Sequence, residues 1–224
     1  MKVSETFWLN VIGMFQVGSI AIGVIVFFLV PKKVRLDYIE LGLFLIGTLL
    51  IEVTGWTVLL TLHRNTNVIN NFFDLINLPL LLLLYRRRLE WPNKNAITYS
   101  ALTFFLAFAF INLFFIQGLH GPGHYTSFVA SFFFIVIAIT YLFNDVRAQR
   151  LKRPMFWITI ASLIYHGVTI YIYIWQEYMV EVMKNNFIGA WMVHNSIGIV
   201  HYLLLAYALL LARSEHILRS PTLN

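Results

Sequence analysis

The chain contains no cysteine, so disulfide bonds, thiolate metal sites and a cysteine nucleophile are all excluded. Charged residues are also scarce: they make up 12% of the 224 residues, whereas 59% are hydrophobic. Soluble domains carry about twice that charged fraction, because water has to cover most of their surface. The composition therefore predicts a membrane protein, and the chain length leaves no room for a separate soluble domain.

Seven stretches of mainly apolar residues are long enough to cross a hydrocarbon core of roughly 30 Å as helices. The third is short and polar, and it contains Pro79, which should kink a helix. We interpret it as a span and not as a re-entrant loop, because its apolar run stops cleanly at Arg86. The sequence thus predicts an all-α fold, a single seven-helix transmembrane domain over residues 1–224, with spans near residues 7–30, 38–62, 68–85, 96–117, 124–144, 155–178 and 188–212.

Basic residues concentrate in alternate loops. This pattern is typical of a membrane protein, because cytoplasmic loops carry an excess of Lys and Arg. Thirteen of the 16 Lys and Arg residues fall in the first, third and fifth loops and in the carboxyl-terminal tail. The others, Lys2, Arg64 and Lys184, fall on the opposite side. We therefore expect an amino terminus outside, a carboxyl terminus in the cytoplasm, and a bacterial cytoplasmic (inner) membrane as the location.

This distribution also indicates the partners. The basic residues follow one membrane face without a soluble module to organise them, so they indicate contact with the lipid bilayer and exclude a nucleic-acid partner. Aromatic residues near the span ends are expected to be interfacial anchors. They are Trp91 and Trp157 at the cytoplasmic boundary, and Trp175, Tyr178 and Trp191 at the outer one.

Ionisable side chains inside the spans are the candidate functional residues, because burying them in hydrocarbon is costly. A rise of about 1.5 Å per residue places them at similar heights in the outer half of the membrane. Steps of three or four residues align them with further polar side chains on single helix faces. We therefore expect a polar core lined by spans two, three, six and seven, in which four of these residues form one connected network: Glu52, Asp74, His166 and His201. The same core includes Asn77 and His194.

Such a core is compatible with four roles. The groups could hydrogen-bond to one another and lock the helices together, or line a cavity that binds a small or lipid-like ligand from outside. Proton or ion transfer and a metal site built from Glu, Asp and His are the other two. The number of groups and their position away from the membrane centre favour the ligand cavity.

The histidine spacing on the last span bears on the metal alternative. Seven-helix hydrolases of the alkaline ceramidase and progestin-receptor superfamily hold zinc with a pattern that looks like His-x-x-x-His on their last helix. Here the residue four positions after His194 is Gly198, and seven residues, about 10 Å along a helix, separate His194 from His201. The sequence therefore predicts no metal and no cofactor. A membrane-embedded, metal-dependent lipid hydrolase is the alternative function.

Several scattered residues carry a family resemblance between about Glu52 and Leu211. They are the acid of the second span, the Asn-rich third span, Pro-x-Phe-Trp-Ile at 154–158, Tyr165, and Trp191 followed by Asn195. In these features the chain resembles short seven-span membrane proteins of bacteria, some of them similar to the sensor modules that precede histidine kinases. The resemblance implies a receptor-like sensor that signals through a protein partner, and it implies no catalytic residue.

The charge distribution predicts which loops face outward. A single cysteine introduced at His120 or Asn185 should react with a membrane-impermeant thiol reagent added to intact cells, because both positions fall in loops poor in Lys and Arg. Since the native chain has no cysteine, it serves as the unlabelled control. Labelling only after the membrane is opened would reverse the predicted orientation.

Overall fold

The computed structural model describes residues 3–62, 67–88, 93–120, 124–147, 153–181 and 187–219, and every regular element in these ranges is helical. Seven of the helices are long and apolar enough to cross a membrane. The predicted seven-span, all-α fold is confirmed at this level. In chain order the α-helices are α1 Val3–Leu29, α2 Lys32–Asp37, α3 Ile39–Leu62, α4 Asn67–Arg88, α5 Lys94–Ile111, α6 His124–Arg147, α7 Pro154–Glu181 and α8 Phe187–Arg219.

The third predicted span is α4, a continuous helix of 22 residues with Pro79 inside it. Because proline has no N–H, the Leu75 carbonyl loses its normal helical partner at this point. The helix nevertheless runs on to the arginine triplet that ends it. This segment is therefore one of the helices long and apolar enough to cross a membrane, as the span interpretation predicts.

Two short elements differ from the predicted loops and spans. Helix α2 occupies the first loop: the Pro31 carbonyl accepts the Arg35 N–H at 2.9 Å, and Val34 is buried. After α5 the chain forms a π-helical turn over Asn112–Ile116. The buried Asn112 amide there donates to Gln117 Oε1 at 2.8 Å and to Thr126 Oγ1 at 2.9 Å, which joins the end of α5 to the start of α6.

Six of the seven long helices form a closed ring, and α5 packs against α4 and α6. Helix α1 packs against both α3 and α8, α8 packs on α7, and α7 packs on α6. Helix α4 contacts α3, α5 and α6, which completes the circuit. The first and last helices are therefore neighbours. Polar side chains on the inner faces of α1, α3, α4 and α6–α8 meet inside this ring instead of facing lipid.

Glycines set the distance between the antiparallel helices α1 and α3. A Cβ at Gly23 would lie 3.2 Å from the Leu45 side chain, and a Cβ at Gly42 would overlap the Phe27 ring. Lipid tails are as apolar as leucine, so membrane helices associate through close packing and not through the hydrophobic effect. These small residues are what allows the two backbones to approach.

The arginines at the end of α4 are joined by charge to the acid at the start of α3. Arg87 Nε lies 2.8 Å from Glu40 Oε1, and the Glu40 side chain is buried. Arg88 donates to the Asp37 carbonyl at 3.1 Å and lies over the Tyr38 ring, 4.7 Å from its centroid. Two of the three arginines at the end of α4 thus bind the junction between α2 and α3, in addition to the topological role that their sequence position indicates.

The close contact at Gly42 predicts a local packing defect in Gly42→Ala. The added methyl group overlaps the buried Phe27 ring, so the free energy of unfolding should fall by about 1–3 kcal/mol. Gly47→Ala on the same helix is the control, since its Cβ meets nothing within 4 Å and alanine favours helix by up to about 1 kcal/mol. Unfolding in mixed micelles measures both. Replacing Phe27 by leucine in the Gly42→Ala variant should restore part of the lost free energy of unfolding. No such recovery, or equal stabilities of Gly42→Ala and Gly47→Ala, would contradict this packing.

Candidate functional site

A cavity of about 530 Å³ lies between α1, α3, α4 and α8. Apolar side chains such as Leu9, Ile51 and Leu59 supply part of its wall. The chemically distinctive part consists of one carboxylate, four carboxamides and two indoles: Glu52; Asn10, Gln16, Asn70 and Asn195; Trp56 and Trp191. No Lys, Arg or His of the described chain lines this cavity. It therefore combines a single acidic side chain with neutral polar and aromatic surface.

Two glycines shape the walls of this cavity. A Cβ at Gly13 would lie 2.6 Å from Trp56 Cζ2, so only glycine lets the indole pack against α1. A Cβ at Gly198 would lie 3.1 Å from the Gln16 amide nitrogen, and the Gln16 side chain is 6% exposed. The Trp56 side chain of α3 thus packs directly on the backbone of α1, and the Gln16 side chain of α1 packs directly on the backbone of α8.

A second polar group lies deeper in the ring and consists of histidines, a tyrosine and serines from α6, α7 and α8. Ser131 Oγ lies 3.1 Å from His166 Nδ1, and the His166 ring stacks on Phe134 with centroids 4.2 Å apart. Tyr165 links the two histidines of α8. Its hydroxyl lies 3.3 Å from His194 Nε2, and its ring stacks on His201 at 4.7 Å. We call this group the histidine cluster.

Asp74 extends the histidine cluster toward α4, because its carboxylate accepts a hydrogen bond from the Ser127 hydroxyl on α6. Other buried polar atoms have no such partner among the described residues. Asn77 Oδ1 makes no hydrogen bond there, nor does either ring nitrogen of His201. The Ala161 carbonyl lies beside the His201 ring but outside hydrogen-bonding geometry.

The cavity and the histidine cluster meet at one aromatic contact. The Trp191 indole, which lines the cavity, lies edge-on to the His194 ring with centroids 5.2 Å apart. His194 in turn contacts Tyr165. A change in the position of Trp191 would therefore act directly on a buried residue of the cluster.

The six predicted site residues divide between these two groups. Glu52 lines the cavity, while Asp74 and the three histidines belong to the cluster, with Asn77 one turn below Asp74 on α4. Within the described residues, no two of Glu52, Asp74, His166 and His201 hydrogen-bond directly. The protein partners of Asp74 and His166 are Ser127 and Ser131. We expected these acids and histidines to pair with one another, with trapped water or with a ligand.

The polar interior also involves more helices than the predicted spans two, three, six and seven. Helix α6, the fifth span, supplies the two serines, and α1, the first span, supplies Asn10 and Gln16. Sequence signals for both existed, because the serines are one helical turn apart and Gln16 interrupts the middle of an apolar run. Neutral polar residues cost little in a membrane helix, so they did not stand out beside the ionisable ones.

The aromatic residues predicted to be interfacial anchors differ in what surrounds them. Trp191 lines the cavity, and Trp157 packs edge-on against Tyr207 at 5.4 Å. Trp175 is 45% exposed. Trp91, Asn185 and the Tyr178 side chain lie outside the described residues. At least Trp191 therefore has a place in the site as well as near the span end.

A catalytic zinc site needs about three protein ligands around one ion. In the described ranges no three His, Asp or Glu side chains are grouped so that they could hold a metal. The hydrolase alternative accordingly gains no supporting geometry from these residues.

No family model, curated protein or solved structure matches this chain. The resemblance to sensor modules of histidine kinases therefore stays a prediction. The observations that bear on function are the geometry of the cavity and that of the histidine cluster.

The contact between Ser131 and His166 predicts energetic coupling across α6 and α7. Ser131→Ala and His166→Phe should each destabilise the protein, and the double variant should depart from additivity by about 0.5–3 kcal/mol, because each change removes the other's partner. Ser214→Ala with His166→Phe is the control pair, since the exposed Ser214 bonds to its own helix near the end of α8. Additive unfolding energies for the first pair would show that the two residues are independent.

Proposed function

We propose that this chain is a receptor-like membrane sensor that binds a small or lipid-like ligand in the cavity between α1, α3, α4 and α8. One observation carries the proposal: the cavity has about 530 Å³ of space and its walls include Glu52, Trp56 and Trp191. Ligand sites commonly measure about 300–1,000 Å³ and combine apolar walls with a few convergent polar groups. Both properties are met here.

The orientation belongs to the same proposal. The cavity is lined by residues near the start of α1, the end of α3 and the starts of α4 and α8. All of these lie at the end of the ring opposite the arginines that close α4. With the basic end in the cytoplasm of a bacterium, as the loop charges favour, the cavity lies in the outer half of the inner membrane and receives its ligand from outside or from the outer leaflet.

The histidine cluster supports a sensing role, because it connects the cavity to the packing of α7 against α8. A ligand that moves Trp191 changes its contact with His194, and His194 is joined to Tyr165 on α7. Helix α8 continues past this point to Arg219 at the basic end. We propose that a protein partner in the cytoplasm detects the resulting shift of α8.

A cavity-filling variant tests this function. The purified protein in lipid nanodiscs is titrated with bromine-labelled C12 amphiphiles bearing cationic, uncharged or anionic headgroups, and quenching of tryptophan fluorescence is measured. At least one of the three amphiphiles should quench the tryptophan fluorescence in a saturable manner, because Trp56 and Trp191 line the cavity. Asn195→Phe should weaken that binding at least about tenfold, since a large ring replaces a cavity-lining amide.

Ser196→Phe is the matched control for this titration. It is the next residue on α8, it is exposed, and its hydroxyl bonds to the Met192 carbonyl of its own helix at 2.7 Å. Its binding should match that of the native protein. Absence of saturable quenching by all three classes, or equal loss in both variants, would overturn the proposed function.

A further inference from the structure

The ionisable chemistry of the cavity comes from an acid and not from a base. Glu52 is the only ionisable side chain that lines it within the described part of the chain. No described residue forms a hydrogen bond or an ion pair with this carboxylate, although it lies within electrostatic range of Tyr202 and Tyr165. A carboxylate in a low-dielectric site is costly unless a cation or hydrogen-bond donors accompany it. The chemistry of the site thus favours a ligand that brings a positive charge.

The aromatic residues favour the same charge. Trp56 and Trp191 line the same cavity as Glu52. Indole is the side chain that attracts a cation most strongly through its ring, above all at desolvated sites. A carboxylate together with two indoles suits a primary or quaternary ammonium group, and it repels an anionic headgroup.

An apolar groove of about 390 Å³ lies beside the cavity, between α1 and α3. It is formed by Met14, Val17, Val53, Trp56, Thr57 and Thr61. The hydroxyls of Thr57 and Thr61 donate to the carbonyls of Val53 and Thr57 at 2.8 and 2.5 Å, so they are already satisfied by their own helix. The groove therefore offers apolar surface and no unused hydroxyl donor from these threonines.

Trp56 lines both the groove and the cavity, so the two spaces adjoin at its indole. The groove faces the outside of the helix ring, because Met14 is 65% and Val53 48% exposed. In a membrane that surface meets acyl chains. An alkyl chain lying in the groove would place the headgroup attached to it next to Trp56, at the entrance to the cavity that contains Glu52.

We propose that the ligand is a single-chain cationic amphiphile whose ammonium group binds at Glu52 between the indoles while its alkyl chain lies in the groove between α1 and α3. This inference rests on the proposed function and specifies the chemical class of its ligand. It also gives the route of entry: the ligand arrives sideways from the outer leaflet past Trp56.

The headgroup is tested with two bromine-labelled probes of the same shape, dodecyltrimethylammonium and dodecyldimethylamine oxide, the second uncharged at pH 8. Binding is measured in nanodiscs of uncharged lipid and corrected with empty nanodiscs. The cation should bind at least about tenfold more tightly. Glu52→Gln should remove that preference and leave amine oxide binding within about twofold, whereas Glu52→Asp, which keeps the charge, should retain most of it. Glu215→Gln, an acid near the carboxyl end of α8, is the control and should change neither probe.

The alkyl chain is tested with Val53→Trp, which places an indole in the groove. This change should weaken the binding of dodecyltrimethylammonium at least about fivefold. The binding of butyltrimethylammonium, measured by competition, should be unaffected. Leu50→Trp is the matched control, because Leu50 is 63% exposed on the same helix and does not line the groove.

The outcomes separate this inference from the proposed function. Equal binding of the cation and the amine oxide, or a cation preference that survives Glu52→Gln, would overturn the cationic class while cavity binding itself stands. Equal effects of Val53→Trp and Leu50→Trp would overturn the groove as the tail site. Absence of binding by every amphiphile at the cavity of the native protein would instead overturn the proposed function. Melting curves of each variant establish that it is folded before binding is interpreted.

Discussion

The contact between α1 and α8 is the constraint on which the rest of this structure depends, because it closes the helix ring. At that contact Gly198 admits the Gln16 amide, whose side chain is almost fully buried. Hydrocarbon provides no hydrophobic force between helices, so closure depends on such close approaches and on polar contacts. With the ring open at this seam, Gln16 and the inner faces of its neighbours would meet lipid, where each unsatisfied polar group costs several kcal/mol.

Closure also explains why the cavity lies at one end. Toward the basic end, α1 and α3 approach closely where Gly23 meets Leu45 and Gly42 meets Phe27. Toward the other end the Trp56 indole packs against Gly13, and the cavity that it lines includes four amides and an acid. The helices enclose room there, between these polar side chains and the two indoles. The same geometry creates the adjoining groove on the lipid side of Trp56.

The spans were predictable because hydrophobicity and length are properties of each segment by itself. Even α4, which contains Pro79 and several polar residues, was identified by the apolar run that ends at the arginines. Helix α2 was not, since six residues are too few to show a periodicity. Glu52, Asp74 and the histidines were identifiable one at a time, because each is expensive to bury. Their division into a cavity and a cluster depends on helix packing, which no single span encodes.

The partners of those residues were harder to predict, for a physical reason. Serine and threonine in a helix can bond to the carbonyl one turn earlier, as Thr48 does to Phe44 and Thr159 to Met155. A hydroxyl inside a span is therefore weak evidence of an interhelical contact. Ser127 and Ser131 proved to make such contacts only because α6 packs against α4 and α7.

The division into two groups also separates two roles that the sequence left open. His166 and His194 have protein partners and lie among stacked aromatic rings, as expected of groups that lock helices together. Glu52 makes no hydrogen bond or ion pair with any described residue and lines a space large enough for a ligand. These contacts support a structural role for the histidine cluster and the proposed binding role for the cavity. The Trp191 contact with His194 is the place where occupancy of the cavity would alter the packing of the helices.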